Sequence, residues 1–287
     1  MYLQIAGLTI CVTSVEPDLA LVPGAGAARF VVDPAPPDVR VRVVARQLPS
    51  EVASERIFDS GGPWQLHRRP GGFLFRFFSS TLGPAPYQTA DFNHDFTSGE
   101  ICVHRPYLVP GHPIDPLAYP LDELLVINLL GQGRGLEVHG CGLVDGSETG
   151  YLFVGQSGAG KTTMARLWLA EPGVEILSDD RVVLRGGDDG VWMCGTPWHG
   201  DAPLASPRRA RLSQLSFLRQ HDRHACAALA PSVAAARLLA ASFPAFYDAA
   251  ALDFTLRFIE EVVRAVPARD LAFAPVPGVI EFLRRQR

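Results

Sequence analysis

Gly155-Gln156-Ser157-Gly158-Ala159-Gly160-Lys161-Thr162-Thr163 is the stretch whose reading decides the fold. It satisfies the pattern G-x-x-x-x-G-K-[ST] without departure. Tyr151-Leu152-Phe153-Val154 before it has the make-up of a short buried strand. Residues 162–171 after it, with Met164, Leu167, Trp168 and Leu169 apolar, read as a helix. Strand, glycine loop and helix are the context in which the pattern binds phosphate. Glycines let successive N–H groups converge on one anion, and the helix start adds its positive end. Residues 155–163 are therefore the nucleotide-binding candidates, with Lys161 as a mobile cation and the Thr162 hydroxyl as a Mg²⁺ ligand. Of the 26 basic residues, Lys161 is the only lysine. A planar guanidinium does not replace a compact ammonium folded over a phosphate loop, so the single exception to arginine falls where the chemistry needs it.

The chain has 287 residues, 47% of them hydrophobic, enough for one large domain or two smaller ones with a substantial core. A net charge of −4 gives no basic excess for nucleic acid. Five scattered cysteines without a C-x-x-C pair argue against a zinc site or a disulfide framework and suit a reducing cytoplasm. The N-terminus has no basic region and only a short apolar run at 8–12, so neither a signal peptide nor a membrane partner is expected.

Working outward, residues 1–118 read as a β-rich accessory region. Strands are expected at 2–13 (one or two), 30–32 and 39–48, a hairpin at 64–68 and 73–78, and a pair at 91–94 and 100–104. His67, His94, His104 and His112 have no ligand spacing and read as surface histidines. Residues 119–287 read as the phosphate-loop domain, opening with a buried helix at 121–130. Strands at 136–144 and 151–154 form an antiparallel pair feeding the loop. A strand at 174–177 ends in Ser178-Asp179-Asp180, and a hairpin at 181–185 and 191–194 follows. Further expectations are a strand at 214–218, helices at 232–243 and 250–266, a strand at 271–273 and a terminal helix at 279–285.

Asp179-Asp180 at a strand end places carboxylates where Mg²⁺ would sit beside the phosphate loop. Two adjacent carboxylates also raise the proton affinity of one member, which suits a base toward a hydroxyl. His139 in the strand before the loop faces either a phosphoryl group or an ordinary sheet partner. His199, in the loop 195–200, and Arg208, in a cluster with Arg209 and Arg211, are substrate-contact candidates; a solvated face is the other reading of the arginines.

With these pieces in place the chain resembles the HPr kinase/phosphorylase family, and more closely the HPr-kinase-like proteins that include lasso-peptide kinases. The resemblance covers about 120–283 and rests on Val138-His139-Gly140, Gly155 to Thr162, Leu177-Ser178-Asp179-Asp180 and Gly195-Thr196-Pro197-Trp198. It implies an α/β (α+β) fold like that of phosphoenolpyruvate carboxykinase, with the phosphate loop on a mixed, largely antiparallel sheet. It further implies ATP and Mg²⁺, with Asp179 as base toward an acceptor serine, Asp180 on the metal and His139 at the phosphoryl group. The chain lacks the arginine-glycine-rich signature of true HPr kinases after the aspartate pair, and its N-terminal region differs from theirs. The expectation is thus a serine kinase acting on a peptide or small protein, with its homo-oligomeric state left open. A nucleotide-binding regulator without phosphotransfer, a small-molecule kinase and a carboxykinase-like metabolic enzyme are the rival readings.

Overall fold

A computed structural model describes residues 1–200 and 202–286. The chain is a mixed α/β protein that divides into two compact units, Met1–Gln4 with Leu8–Leu129, and Ile5–Gly7 with Leu130 onward.

The first unit is built on an eight-stranded sheet. Its strands are β1 (Tyr2–Ile5), β2 (Leu8–Ser14), β3 (Val39–Arg46), β4 (Glu55–Asp59), β5 (Trp64–Arg69), β6 (Gly72–Phe77), β7 (Gln88–Asn93) and β8 (Ser98–His104), in the order β1-β2-β3-β8-β7-β6-β5-β4. β2, β3 and β8 run parallel, and the meander from β8 to β4 is antiparallel. Alternation in β3 explains its two faces: Val39, Val41 and Val43 are buried, whereas Arg40 and Arg42 are exposed.

Two expectations are corrected here, and one strand is added. Residues 30–32 are not a strand: a 3₁₀ turn covers Ala27–Phe30, and Val31 makes only an isolated bridge to Leu3. β4 escapes the sequence because it is a half-exposed edge strand without an apolar stripe. His94 and His112 lie on the surface, but His67 and His104 are buried. His67 bonds Ser54 Oγ at 3.0 Å, and His104 Nδ1 accepts the Leu48 N–H at 2.7 Å, so each ring has a local polar partner.

Helix α1 (Leu121–Gly131) buries Leu121, Leu125, Val126, Leu129 and Leu130, as expected of a buried helix, together with the polar Asp122, Glu123 and Asn128. The second unit then follows: β9 (Leu136–Val144), β10 (Gly150–Val154), α2 (Lys161–Leu169), β11 (Glu175–Ser178), β12 (Arg181–Gly187), β13 (Gly190–Cys194) and β14 (Arg209–Gln220). It ends with β15 (Ala225–Ala228), α3 (Pro231–Ala240), α4 (Ala249–Ala265), β16 (Ala268–Phe273) and α5 (Gly278–Arg284).

The second sheet also has eight strands and is mixed. The order is β10-β9-β12-β13-β14-β16-β15, with β11 on β9. Only β10–β14 and β14–β16 are parallel pairs. β10 pairs with both β9 and β14, so β9, β12, β13, β14 and β10 form a closed ring of pairings. β14 runs from Arg209 to Gln220, twice the expected reach, so Arg209 and Arg211 are strand residues; the Arg209 guanidinium stacks over Trp192 at 4.8 Å.

β10 is buried on both faces, which is why it reads as a continuous apolar run. Tyr151 and Phe153 pack with Met164, Trp168 and Ile280 on one side, and Leu152 and Val154 pack with Leu238, Phe258 and Val262 on the other. Asp248 caps α4 by accepting the Ala250 and Ala251 N–H groups. Trp168 is fully buried against Tyr151, with ring centroids 4.8 Å apart, and anchors α2 to the sheet. Trp168→Ala is expected to destabilise the second unit by about 3–5 kcal/mol, read as a lowered urea midpoint; an unchanged midpoint would show that α2 does not depend on this anchor.

Candidate nucleotide and carboxylate site

Strand register assembles the site. β10 ends at Val154, opposite Gly140 of β9. On its other edge β9 pairs successively with β11 and β12: Ser178 faces Gly142, and Arg181 faces His139. Asp179-Asp180 occupies the break between these two pairings, with the Gly140 N–H donating to Asp180 O at 3.0 Å. The glycine loop, His139 and the aspartate pair therefore meet where β10 and β11 end beside the middle of β9.

The loop from Gly155 to Gly160 needs left-handed backbone at Gly158 (φ 82°) and Gly160 (φ 103°). A side chain at Gly160 would also meet the Phe273 ring at 2.6 Å. Lys161 opens α2, is 7% exposed, and donates to the carbonyls of Gly155 at 2.7 Å and Gln156 at 3.3 Å. Burial lowers the proton affinity of its ammonium, and the nearby Asp180 charge opposes that. No side chain of the N-cap residue, Gly160, caps α2, an arrangement that suits an anion at a helix start. Gln156, Ser157 and Gly158 are exposed, while Ala159, Thr162 and Thr163 are half-buried.

The two aspartates have opposite surroundings. Asp179 is 1% exposed; its Oδ1 accepts the Gly200 N–H at 2.9 Å and its Oδ2 the Ala202 N–H at 3.3 Å. Burial pushes its carboxyl above the ordinary value, the two amides resist, and the Asp180 charge adds only a minor push. Like-charge repulsion, the cause expected from the sequence, is thus the lesser one. Asp180 is part-exposed, with Oδ1 2.9 Å from His139 Nε2 and Oδ2 2.5 Å from an Arg181 guanidinium nitrogen. Burial would raise this carboxyl as well, but His139 and Arg181 outweigh it and hold it below the usual range.

A third segment closes over the pair. Ser178 Oγ donates to Trp198 O at 3.1 Å, and Thr196 Oγ1 to Arg181 O at 2.6 Å. A side chain at Gly195 would strike Ser206 O at 1.9 Å, so only glycine allows this segment to lie so close. His199 is exposed and bonds the Gly200 carbonyl at 3.0 Å, one residue from the amide on Asp179. Arg208 is not brought into this group: it pairs with Glu175 at 3.0 Å and with Glu148. Sequence reasoning missed Arg181 and Glu137, whose pairing at 3.4 Å joins residues far apart in the chain; two charged residues within otherwise apolar strands were the signal.

Among the described residues, no group of three or more histidine, cysteine, aspartate or glutamate side chains could hold a metal by itself. The Thr162 hydroxyl and the ionised Asp180 carboxylate are hard oxygen donors, which fit Mg²⁺ whose remaining ligands are phosphate oxygens and water. No helix of the described residues is long and apolar enough to cross a membrane. No protein-family model matches the chain, and a search of curated proteins finds no match.

An ordinary aspartate titrates near 3.8. Asp179 holds its proton to higher pH when folded, so its burial opposes folding once the pH rises through its folded value and stops doing so at lower pH. The stability of the parent relative to Asp179→Asn should therefore improve as the pH falls from 7 to 4. Urea midpoints of the two proteins across that range measure this, and a constant difference would remove burial as the cause.

Proposed function

We propose that this chain is an ATP- and Mg²⁺-dependent kinase that phosphorylates a hydroxyl, a serine of a peptide or small protein. One observation carries the reading: the chain's only lysine is buried behind a glycine loop, within electrostatic reach of Asp179 and Asp180, the second of which His139 contacts.

In this reading the loop amides and the α2 N-terminus bind the phosphates. Lys161 exchanges the Gly155 and Gln156 carbonyls for phosphate oxygens. Thr162 and Asp180 would hold Mg²⁺, which would supply charge neutralisation to the phosphates. His139 keeps the near oxygen of Asp180 in place and lines the approach to the phosphoryl group. Asp179 takes the proton of the acceptor hydroxyl, while a new O–P bond forms and the bond from the γ-phosphorus to its bridging oxygen breaks, releasing ADP. Its raised proton affinity suits that role. The Gly200 and Ala202 amides have to yield an oxygen for it to reach the acceptor.

The same engagement of Asp179 favours a second reading, a nucleotide-binding regulator in which the carboxylate only ties down the 195–206 segment.

Transfer of label from γ-labelled ATP with Mg²⁺ separates the two, with HPr, a serine-ended peptide and a cell extract as acceptors. The kinase reading expects a labelled acceptor, and a loss of about 10²- to 10⁴-fold in Asp179→Asn with nucleotide still bound. Nucleotide binding without transfer to any acceptor would favour the regulator.

A further inference from the structure

The carboxyl ends of β14 and β16 lie against the glycine loop. Gln220, the last residue of β14, pairs in register with Phe273, the last of β16, and Leu218 pairs with Leu271. Leu218 and Gln220 are two apart on one strand and so share a face. Leu218, Leu271 and Phe273 belong to the apolar cluster that includes Met164 and Trp168 of α2, so this is the face that α2 covers. Three glycines of the loop meet it. A side chain at Gly155 would touch Leu218 Cβ at 3.5 Å, and one at Gly160 would touch the Phe273 ring at 2.6 Å and Gln220 Nε2 at 3.3 Å. Between them, Gln220 Nε2 donates to Gly158 O at 3.3 Å.

That bond acts on one peptide plane. The C=O of Gly158 and the N–H of Ala159 point opposite ways across a trans peptide. Gln220 holds the carbonyl edge, and the N–H edge donates to Gln156 O at 3.0 Å. Gln156 O is also one of the two carbonyls on which Lys161 rests. Gly158 is left-handed, at φ 82°, and a glycine restrains the peptide that follows it less than any other residue. An anion that draws Lys161 away from Gln156 O removes a contact on the N–H side of this plane. The Gln220 bond lies on the other edge and does not take part in that exchange. Resting on the nucleotide binding proposed above, we infer that Gln220 is a positioning residue for the phosphate loop: it fixes the Gly158–Ala159 peptide, so that the loop keeps one shape while Lys161 moves from carbonyls to phosphate. A loop already in its binding shape loses less freedom when the ligand arrives.

The test compares the parent with Gln220→Met, which keeps the length and loses the donor, and with Gln220→Glu, which donates only while protonated. Gln220 is exposed, so neither change disturbs the core. The first readout is amide hydrogen exchange without nucleotide, expressed as protection factors between pH 4 and pH 8. Gln220→Met is expected to lose protection at the Ala159 amide by about fivefold, the scale of one hydrogen bond, with α2 and β14 unchanged. Gln220→Glu should lose at least as much at pH 8 and recover toward the parent at pH 4, where its carboxyl regains the proton. A residue that only packed against the loop would show no such recovery. The second readout is affinity for a fluorescent ATP analogue with Mg²⁺ at pH 8, where Gln220→Met should bind about fivefold more weakly. Parent-like protection or parent-like affinity in Gln220→Met, a loss spread over the whole second unit, or a loss in Gln220→Glu that is the same at both pH values would overturn the inference alone. A parent protein that binds no nucleotide would overturn the proposed function and this inference together.

Discussion

A single ammonium buried against backbone carbonyls is the constraint on which the site depends. Lys161 has little water around it, so its charge must be met by oriented dipoles and by the nearby Asp180 and Asp179 carboxylates. The carbonyls of Gly155 and Gln156 supply the dipoles. The loop between β10 and α2 can take this path because glycine stands at its two left-handed positions, Gly158 and Gly160. Inward carbonyls and an uncapped helix start together leave N–H groups and one mobile cation on the side where an anion would lie. An arginine, with its broad planar head, could not fold back into the same space.

The second constraint is the break in pairing along β9. Two adjacent residues of a regular strand point to opposite faces. Asp179 and Asp180 diverge further because the pairing stops at Ser178 and resumes at Arg181. Ser178 Oγ accepts the N–H groups of Asp180 and Arg181, at 3.3 Å and 3.1 Å, and holds the bend. One carboxyl is turned under the 195–206 segment, where desolvation dominates, and the other toward His139 and Arg181, where opposite charge dominates. Two chemically identical groups thereby have their proton affinities shifted in opposite directions, as the proposed proton acceptor and metal-binding anion require.

Much of this arrangement was legible in the sequence where a local pattern carries it. The glycine loop, the hairpin around 145–150 and the apolar run of β10 follow from periodicity and turn residues. β14 was read too short because its first residues, Arg209-Ala210-Arg211-Leu212, alternate charge with small or apolar residues on a half-covered face. β15, Ala225–Ala228, was missed because an exposed edge strand of small residues has no period to read. The Glu137–Arg181 pair was invisible for another reason: its members are joined only by the register between β9 and β12. His67 and His104 were equally hidden, since their polar partners, Ser54 and Leu48, lie in a loop of no marked composition.

The antiparallel strand β9 also explains why such a site belongs on a mixed sheet. In a wholly parallel sheet, the strand beside the phosphate loop runs the same way and delivers its own C-terminal loop to the nucleotide. Here β9 runs against β10, so mid-strand residues face the loop's root: Gly140 opposite Val154, and His139 next to it. A mid-strand residue is fixed by hydrogen bonds on both sides and cannot wander as a loop residue can. The positions of His139 and of Arg181 opposite it are therefore set by register, and Asp180 is tied to the same strand by the Gly140 N–H on its carbonyl. A slip of one residue in β9 would turn His139 and Glu137 to the opposite face and leave Arg181 without its buried partner. Register at this edge is accordingly specified twice, by the apolar packing of Val138 and Leu136 in the core and by the charge pairing on the other face.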